Sequence, residues 1–161
     1  MPSLIEEFIT TLKNEFNNYD ELLVLAKEKS NIIKSNNIDV LQKITWAETA
    51  ILGKNQKLEQ KREDIVKNIG IVLNYNPKEL TITKISEIIE NKEEIKELIS
   101  IRDKLKETLE ELKQRNEINK NLIKSSLEYI DFSVNMLRGE KAEPYFEEIS
   151  TNNTSFFDTK G

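Results

Sequence analysis

The sequence predicts an all-α fold. The expected form is an elongated antiparallel three-helix bundle, or coiled-coil hairpin, with a long third helix, a short connecting helix and a flexible C-terminal tail. Three observations predict it. Apolar residues recur at spacings of three and four through three long segments, which puts them on one helical face. Glycine numbers only 4 and proline only 3 in 161 residues, and no strand-like alternation is sustained. After Leu137 the apolar pattern stops and a polar, acidic segment with isolated aromatics follows.

In the first segment the stripe runs through Ile5, Ile9, Leu12, Phe16, Tyr19, Leu23, Ala26 and Ile33. Ser3, with Glu6 three residues on, forms a capping box that starts the helix. Asn36 to Asp39 supplies a turn, with Asp39 as the expected N-cap of the second helix. That helix carries Leu41, Ile44, Ile51, Leu58, Ile65, Ile69 and Val72, and Asn74 to Pro77 breaks it. Leu80 to Ile89 is rich in β-branched residues. Ile82, Ile85 and Ile89 share a helical face and no strand is available to pair with, so a short helix is expected.

The third long helix starts near Asn91 and carries Ile95, Leu98, Leu105, Leu109, Leu112, Ile123, Ile130 and Leu137. Gly139 is placed as the glycine that stops it. The expected bundle thus spans residues 1–138, with helices at about 4–35, 40–73, 80–90 and 92–138. Residues 139–161 form the tail. By this count the third helix outlasts its partners by roughly a dozen residues, about three turns. Leu127, Ile130, Val134 and Leu137 then have no intramolecular partner, and exposed apolar surface of that kind marks a partner site. A tail that folds back over it is the alternative.

Polar residues interrupt the stripe at Glu48, Asn55 and Arg62, and again at Arg102, Asn116 and Asn119. Buried charge needs a partner, so Glu48 and Arg62 are expected to find one across the bundle and to fix register. A carboxylate-bridged metal site of the di-iron type needs histidine, and there is none. No metal or other cofactor is expected.

Composition narrows function further. Charged residues make up 33% of the chain and apolar residues 37%, as in helices that bury one stripe and solvate the rest. The net charge is −5 and lysine is interleaved with glutamate, as in Glu93-Glu94-Ile95-Lys96-Glu97, which argues against nucleic acid as a partner. With no cysteine or histidine, the commonest nucleophile and base arrangements are missing, and the four glycines are too scattered for a phosphate loop. The chain reads as a non-enzyme. No apolar run approaches the length of a membrane span and no basic-then-apolar start resembles a signal peptide, so neither membrane insertion nor secretion is expected.

The tail carries five carboxylates against two lysines, a low-complexity stretch from Ser150 to Ser155, and two aromatic pairs, Tyr145-Phe146 and Phe156-Phe157. Such aromatics anchor interfaces. They either dock back on the bundle or fold on a partner.

Taken in order, several motifs resemble the FlgN-type flagellar export chaperones. They are Glu15-x-x-x-Tyr19-x-x-Leu22-Leu23-x-Leu25-Ala26-x-x-Lys29, Glu48 with Leu58 and Arg62, Asn116-x-x-Asn119-x-x-Leu122, and Phe157-Asp158-Thr159-Lys160. The resemblance covers nearly the whole chain. It implies a cytoplasmic, ATP-independent chaperone that binds the C-terminal helical region of hook–filament junction (hook-associated) proteins. It further implies that the chaperone prevents their premature assembly and delivers them to the type III export gate. In the family the C-terminal part carries the client contacts. That implies a client-binding set of Leu122, Ile123, Leu127, Ile130, Val134, Leu137, Phe156 and Phe157. The family's export-gate contact is an aromatic of the C-terminal region. Tyr145 and Phe146 are the first candidates, with Tyr129 and Phe132 beside them. Two other readings use the same stripe: a structural or tethering coiled coil that homodimerises, and an adaptor of another secretion system.

Overall fold

A computed structural model describes residues 3–139. Among them every regular element is helical: α1 (Leu4–Ser35), α2 (Ile38–Leu73), α3 (Ile82–Ile88) and α4 (Lys92–Arg138). A single 3-10 turn, Pro77–Glu79, precedes α3. The tail from residue 140 onward, with Tyr145, Phe146, Phe156 and Phe157, lies outside the described residues.

Local chemistry sets the boundaries. The Ser3 hydroxyl accepts from the Glu6 amide at 3.1 Å and the Glu6 carboxylate accepts from the Ser3 amide at 3.2 Å, completing the expected capping box. Asn36 ends α1 in the left-handed region at φ 57°, a conformation asparagine tolerates. The cap of α2 is Asn37, not Asp39. Its side chain accepts from the Val40 amide, so α2 starts at Ile38 and Asp39 falls in the first turn, where its charge suits the helix dipole. Thr81 caps α3 and Ile89 ends it in an extended conformation, so α3 is shorter than the expected 80–90 segment. Asn91 caps α4 and Gly139 ends it at φ 71°. At Gly70 an added Cβ would stand 2.8 Å from the Tyr75 carbonyl oxygen, so α2 passes through this glycine where the chain doubles back.

α1 is the shared partner. The main packings join α1 to α2 and to α4, with α3 laid on α4. α2 runs antiparallel to α1, as the pairs Glu15–Arg62 and Lys29–Glu48 show. α4 runs in the same direction as α1, and Lys13–Glu97 and Lys27–Glu111 hold one offset of 84 residues. Flanked on two sides, α1 buries more than its single predicted stripe: Phe8, Thr11, Glu15 and Leu22 join Leu12, Leu23 and Ala26. One apolar cluster fills the end near Phe8, Leu12, Ile69, Ile85 and Leu98. A smaller one lies around Leu22, Ala26, Ile51 and Leu112.

Some expected stripe positions face out. The inward row of α4 is Leu98, Ile101, Leu105, Thr108 and Leu112, so Leu109 is turned about 100° from Thr108 and is exposed. Val72, in the last turn of α2, is exposed too. Arg102 is no seam residue: it bonds its neighbour Asp103 and the Thr83 hydroxyl of α3 near the surface.

The remaining polar positions do sit in the seams. Arg62 donates to Glu15 at 2.9 Å, and Glu15 is only 2% exposed. Asn18 donates to the Asn55 side-chain oxygen at 2.8 Å, and Lys29 donates to Glu48 at 3.1 Å. Between α1 and α4, the Asn119 amide donates to the Ala26 carbonyl at 2.8 Å while its oxygen accepts from the Ser30 hydroxyl. Asn116 is half-buried beside this group, and its Nδ2 has no hydrogen-bond partner among the described residues.

Removing Arg62 strips the buried Glu15 carboxylate of a charged donor. Arg62→Met is therefore expected to cost about 1–3 kcal/mol of stability. Lys13→Ala, at the exposed Lys13–Glu97 pair, should change it by less than about 1 kcal/mol. Urea unfolding of the two variants measures the contrast.

Candidate functional site

The offset between α1 and α4 decides where the seam runs out. With Lys13 opposite Glu97 and Ser30 against Asn119, the last residue of α1, Ser35, falls level with residues 119–124 of α4. α4 continues to Arg138, about 14–19 residues or ~21–28 Å beyond. The unaccompanied stretch is thus longer than the three turns expected from helix lengths, because register and not length fixes where α1 stops.

The inward face of α4 does not end with its partner. At 100° per residue, Ile123, Leu127, Ile130, Val134 and Leu137 continue the row that packs on α1 higher up. Leu122, Ile123, Leu127 and Val134 are half-buried. Ile130 is 53% and Leu137 88% exposed. These six positions, expected from the sequence to bind a partner, therefore share one stretch of helix beyond the α1–α2 hairpin. Asn116 and Asn119 stand at its root, while Glu48, Asn55 and Arg62 lie on α2, away from it.

A second row was not recognised as a face. Tyr129, Phe132 and Met136 are 72%, 57% and 69% exposed. Their spacing of three and four is the readable signal, and it places them on the flank of the first row. Apolar side chains thus cover about two-thirds of the helix circumference, with Lys124, Glu128, Asp131 and Arg138 on the remaining arc. A helix of this composition is short of partners: each apolar side chain left in water forgoes about 1.5–3 kcal/mol.

Among the described residues no group of three or more His, Cys, Asp or Glu side chains could hold a metal ion. None of the described helices is long and apolar enough to cross a membrane.

A family model described as FlgN protein matches residues 1–147, the whole helical body and the first part of the tail. The chain belongs to the FlgN family of flagellar chaperones. A relative from Bacillus subtilis (strain 168), named uncharacterized protein YvyG, is 27% identical over 119 residues, covering 74% of this chain and 71% of that protein. No solved structure matches. Within this FlgN chain, the match takes in both the hairpin and the unaccompanied end of α4.

A single helix without tertiary support opens readily. Amide hydrogen exchange of the isolated protein should therefore be fast over residues 123–138 and slow over 98–119 of the same helix. Mass-spectrometric peptide mapping reads the boundary, expected within a turn or two of Asn119.

Proposed function

We propose that this FlgN-family protein is a cytoplasmic, ATP-independent export chaperone for hook-associated proteins. An amphipathic helix from the C-terminal region of the client lies along Ile123, Leu127, Ile130, Val134 and Leu137 and takes the place that α1 occupies higher on α4. This is a helix-in-groove mode of recognition. The observation that carries it is the inward face of α4 outlasting α1 by about 14–19 residues. Covered by the chaperone, the client's own assembly surface is withheld until delivery to the export gate. Phe156 and Phe157 of the tail add client contacts in this reading, and Tyr145 and Phe146 are the residues proposed for the gate.

A second reading rests on the same exposed face: two copies could pair through it as a homodimeric coiled coil. The two differ in what concentration does. Sedimentation equilibrium of the chaperone alone should give a monomer mass, with a one-to-one complex after adding a hook-associated protein's C-terminal helical fragment. A dimer stable without client would favour the coiled-coil reading.

The decisive variant is Leu127→Asp with Ile130→Asp. Calorimetric titration against that fragment should show binding weakened at least about a hundredfold, since each aspartate forfeits roughly 1.5–3 kcal/mol of apolar burial. The melting temperature should change little, because both residues lie beyond the end of α1, with Leu127 half-buried and Ile130 exposed. Unchanged affinity in a folded variant would sink the proposal.

A further inference from the structure

The outward face of α2 carries an apolar feature that neither the core nor the client site uses. Trp46, the chain's only tryptophan, is 63% exposed there. An indole buries roughly 150–250 Å² where it finds a partner, so leaving it in water is costly. One and two turns further along the same face stand Ala50 and Gly53. An added Cβ at Gly53 would meet nothing within 4 Å, so no internal contact requires glycine at this mid-helix position. Glycine there costs about 0.5–1 kcal/mol relative to alanine. Small residues beside an exposed indole leave room for another chain to approach closely.

The electrostatics of this face select the kind of partner. Lys43, Lys54 and Lys57 flank Trp46, Ala50 and Gly53, none of the three forms a salt bridge among the described residues, and the acidic residues of this face, Asp39 and Asp64, stand two and five turns from Trp46. The surface therefore fits an acidic segment that carries aromatic side chains. Residues 140–161 are such a segment, with five carboxylates, two lysines and the pairs Tyr145-Phe146 and Phe156-Phe157.

Chain length distinguishes the two aromatic pairs. Lys29–Glu48 and Glu15–Arg62 place Trp46 level with Asn31, and the α1–α4 register carries that level to residues 115–120. Gly139 stands about 19–24 residues, or ~28–36 Å, further along α4. Tyr145 follows Gly139 by only six residues. At about 3.3 Å each it reaches ~20 Å, which ends beside the free stretch of α4. Phe156 follows by 17 residues. Its reach of ~56 Å exceeds the axial distance even after crossing a bundle whose helices are about 10 Å wide. Glu147 and Glu148 lie between the two aromatic pairs, as Lys43 lies between the free end of α4 and Trp46.

We infer that, in the isolated chain, the outer face of α2 around Trp46 is the docking surface for the chain's own Phe156–Phe157 segment. The two phenylalanines cover the indole and the small residues beside it, and the lysines neutralise the carboxylates that lead to them. This does not depend on the identity of the client.

The single tryptophan reports the contact directly. In the full chain, Phe156→Ala with Phe157→Ala should shift Trp46 emission to the red. The same variant should raise its acrylamide quenching constant about twofold, as the covered indole returns to water. Lys54→Glu with Lys57→Glu should do the same with the tail intact, since both lysines are exposed and their loss leaves the core untouched. Quenching should not depend on protein concentration. Identical quenching in wild type and both variants would overturn the inference. Protection of Trp46 that grows with concentration would overturn it as well, assigning the face to a second copy.

Discussion

The parallel registration of α1 against α4 is the constraint on which the rest of this structure depends. Both packings between long helices share α1, which alone lies along α2 and α4. Its length is 32 residues against 47 for α4, and the pairings Lys13–Glu97 and Ser30–Asn119 put the difference at the C-terminal end of α4. A slip of one heptad would keep apolar residues in the seam while moving the exposed end by about 10 Å. Hydrophobic matching alone therefore leaves the position of the free end open. The polar seam closes it. Asn119 reaches Ala26 and Ser30 only in this register, and Arg62 meets Glu15 only when α2 is set correctly against α1. A slipped register would bury these groups without partners, which costs more than the contacts themselves contribute.

This explains how a recognition surface arises without a pocket. α4 presents to solvent the same kind of row that it buries against α1, and the difference is only that α1 has stopped. Such a surface is suited to an amphipathic helix, because what is missing is a helix. Its width is a further consequence. Where α1 is flanked twice it buries two rows, and the free end of α4 likewise carries two, Ile130 with its neighbours and Tyr129 with Phe132 and Met136. In the proposed reading, a broad helix face that opens readily on its own can both hold a client and release it.

α2 completes the picture from the opposite side. Its inner row supports α1, while its outer face combines unpaired lysines with an exposed tryptophan, a composition that neither core packing nor simple solvation explains. The helical body therefore offers two surfaces of different character, one apolar and broad, the other basic with a single aromatic. Both lie within reach of the acidic, aromatic segment that follows α4.

The sequence by itself determined much. The capping box at Ser3, the Asn36–Asn37 turn, the stop at Gly139 and the long third helix are local events, written in residues a few positions apart. Family membership was legible through the order of weak motifs. Periodicity also showed that the apolar row of α4 outlasts its partners. Tertiary structure decided what periodicity cannot: which of two adjacent residues faces in, as with Thr108 and Leu109, and how wide a buried face becomes. Glu15 and Ser30 lie off the apolar stripe of α1, and helices on two sides of α1 bury them. Arg102 read as a seam residue until α3 gave it a surface partner. The length of the free end was likewise set by contacts between residues 84 to 89 apart. Hydrophobic period fixes a helix's rotation about its axis, whereas its position along the axis depends on pairings that no single segment contains.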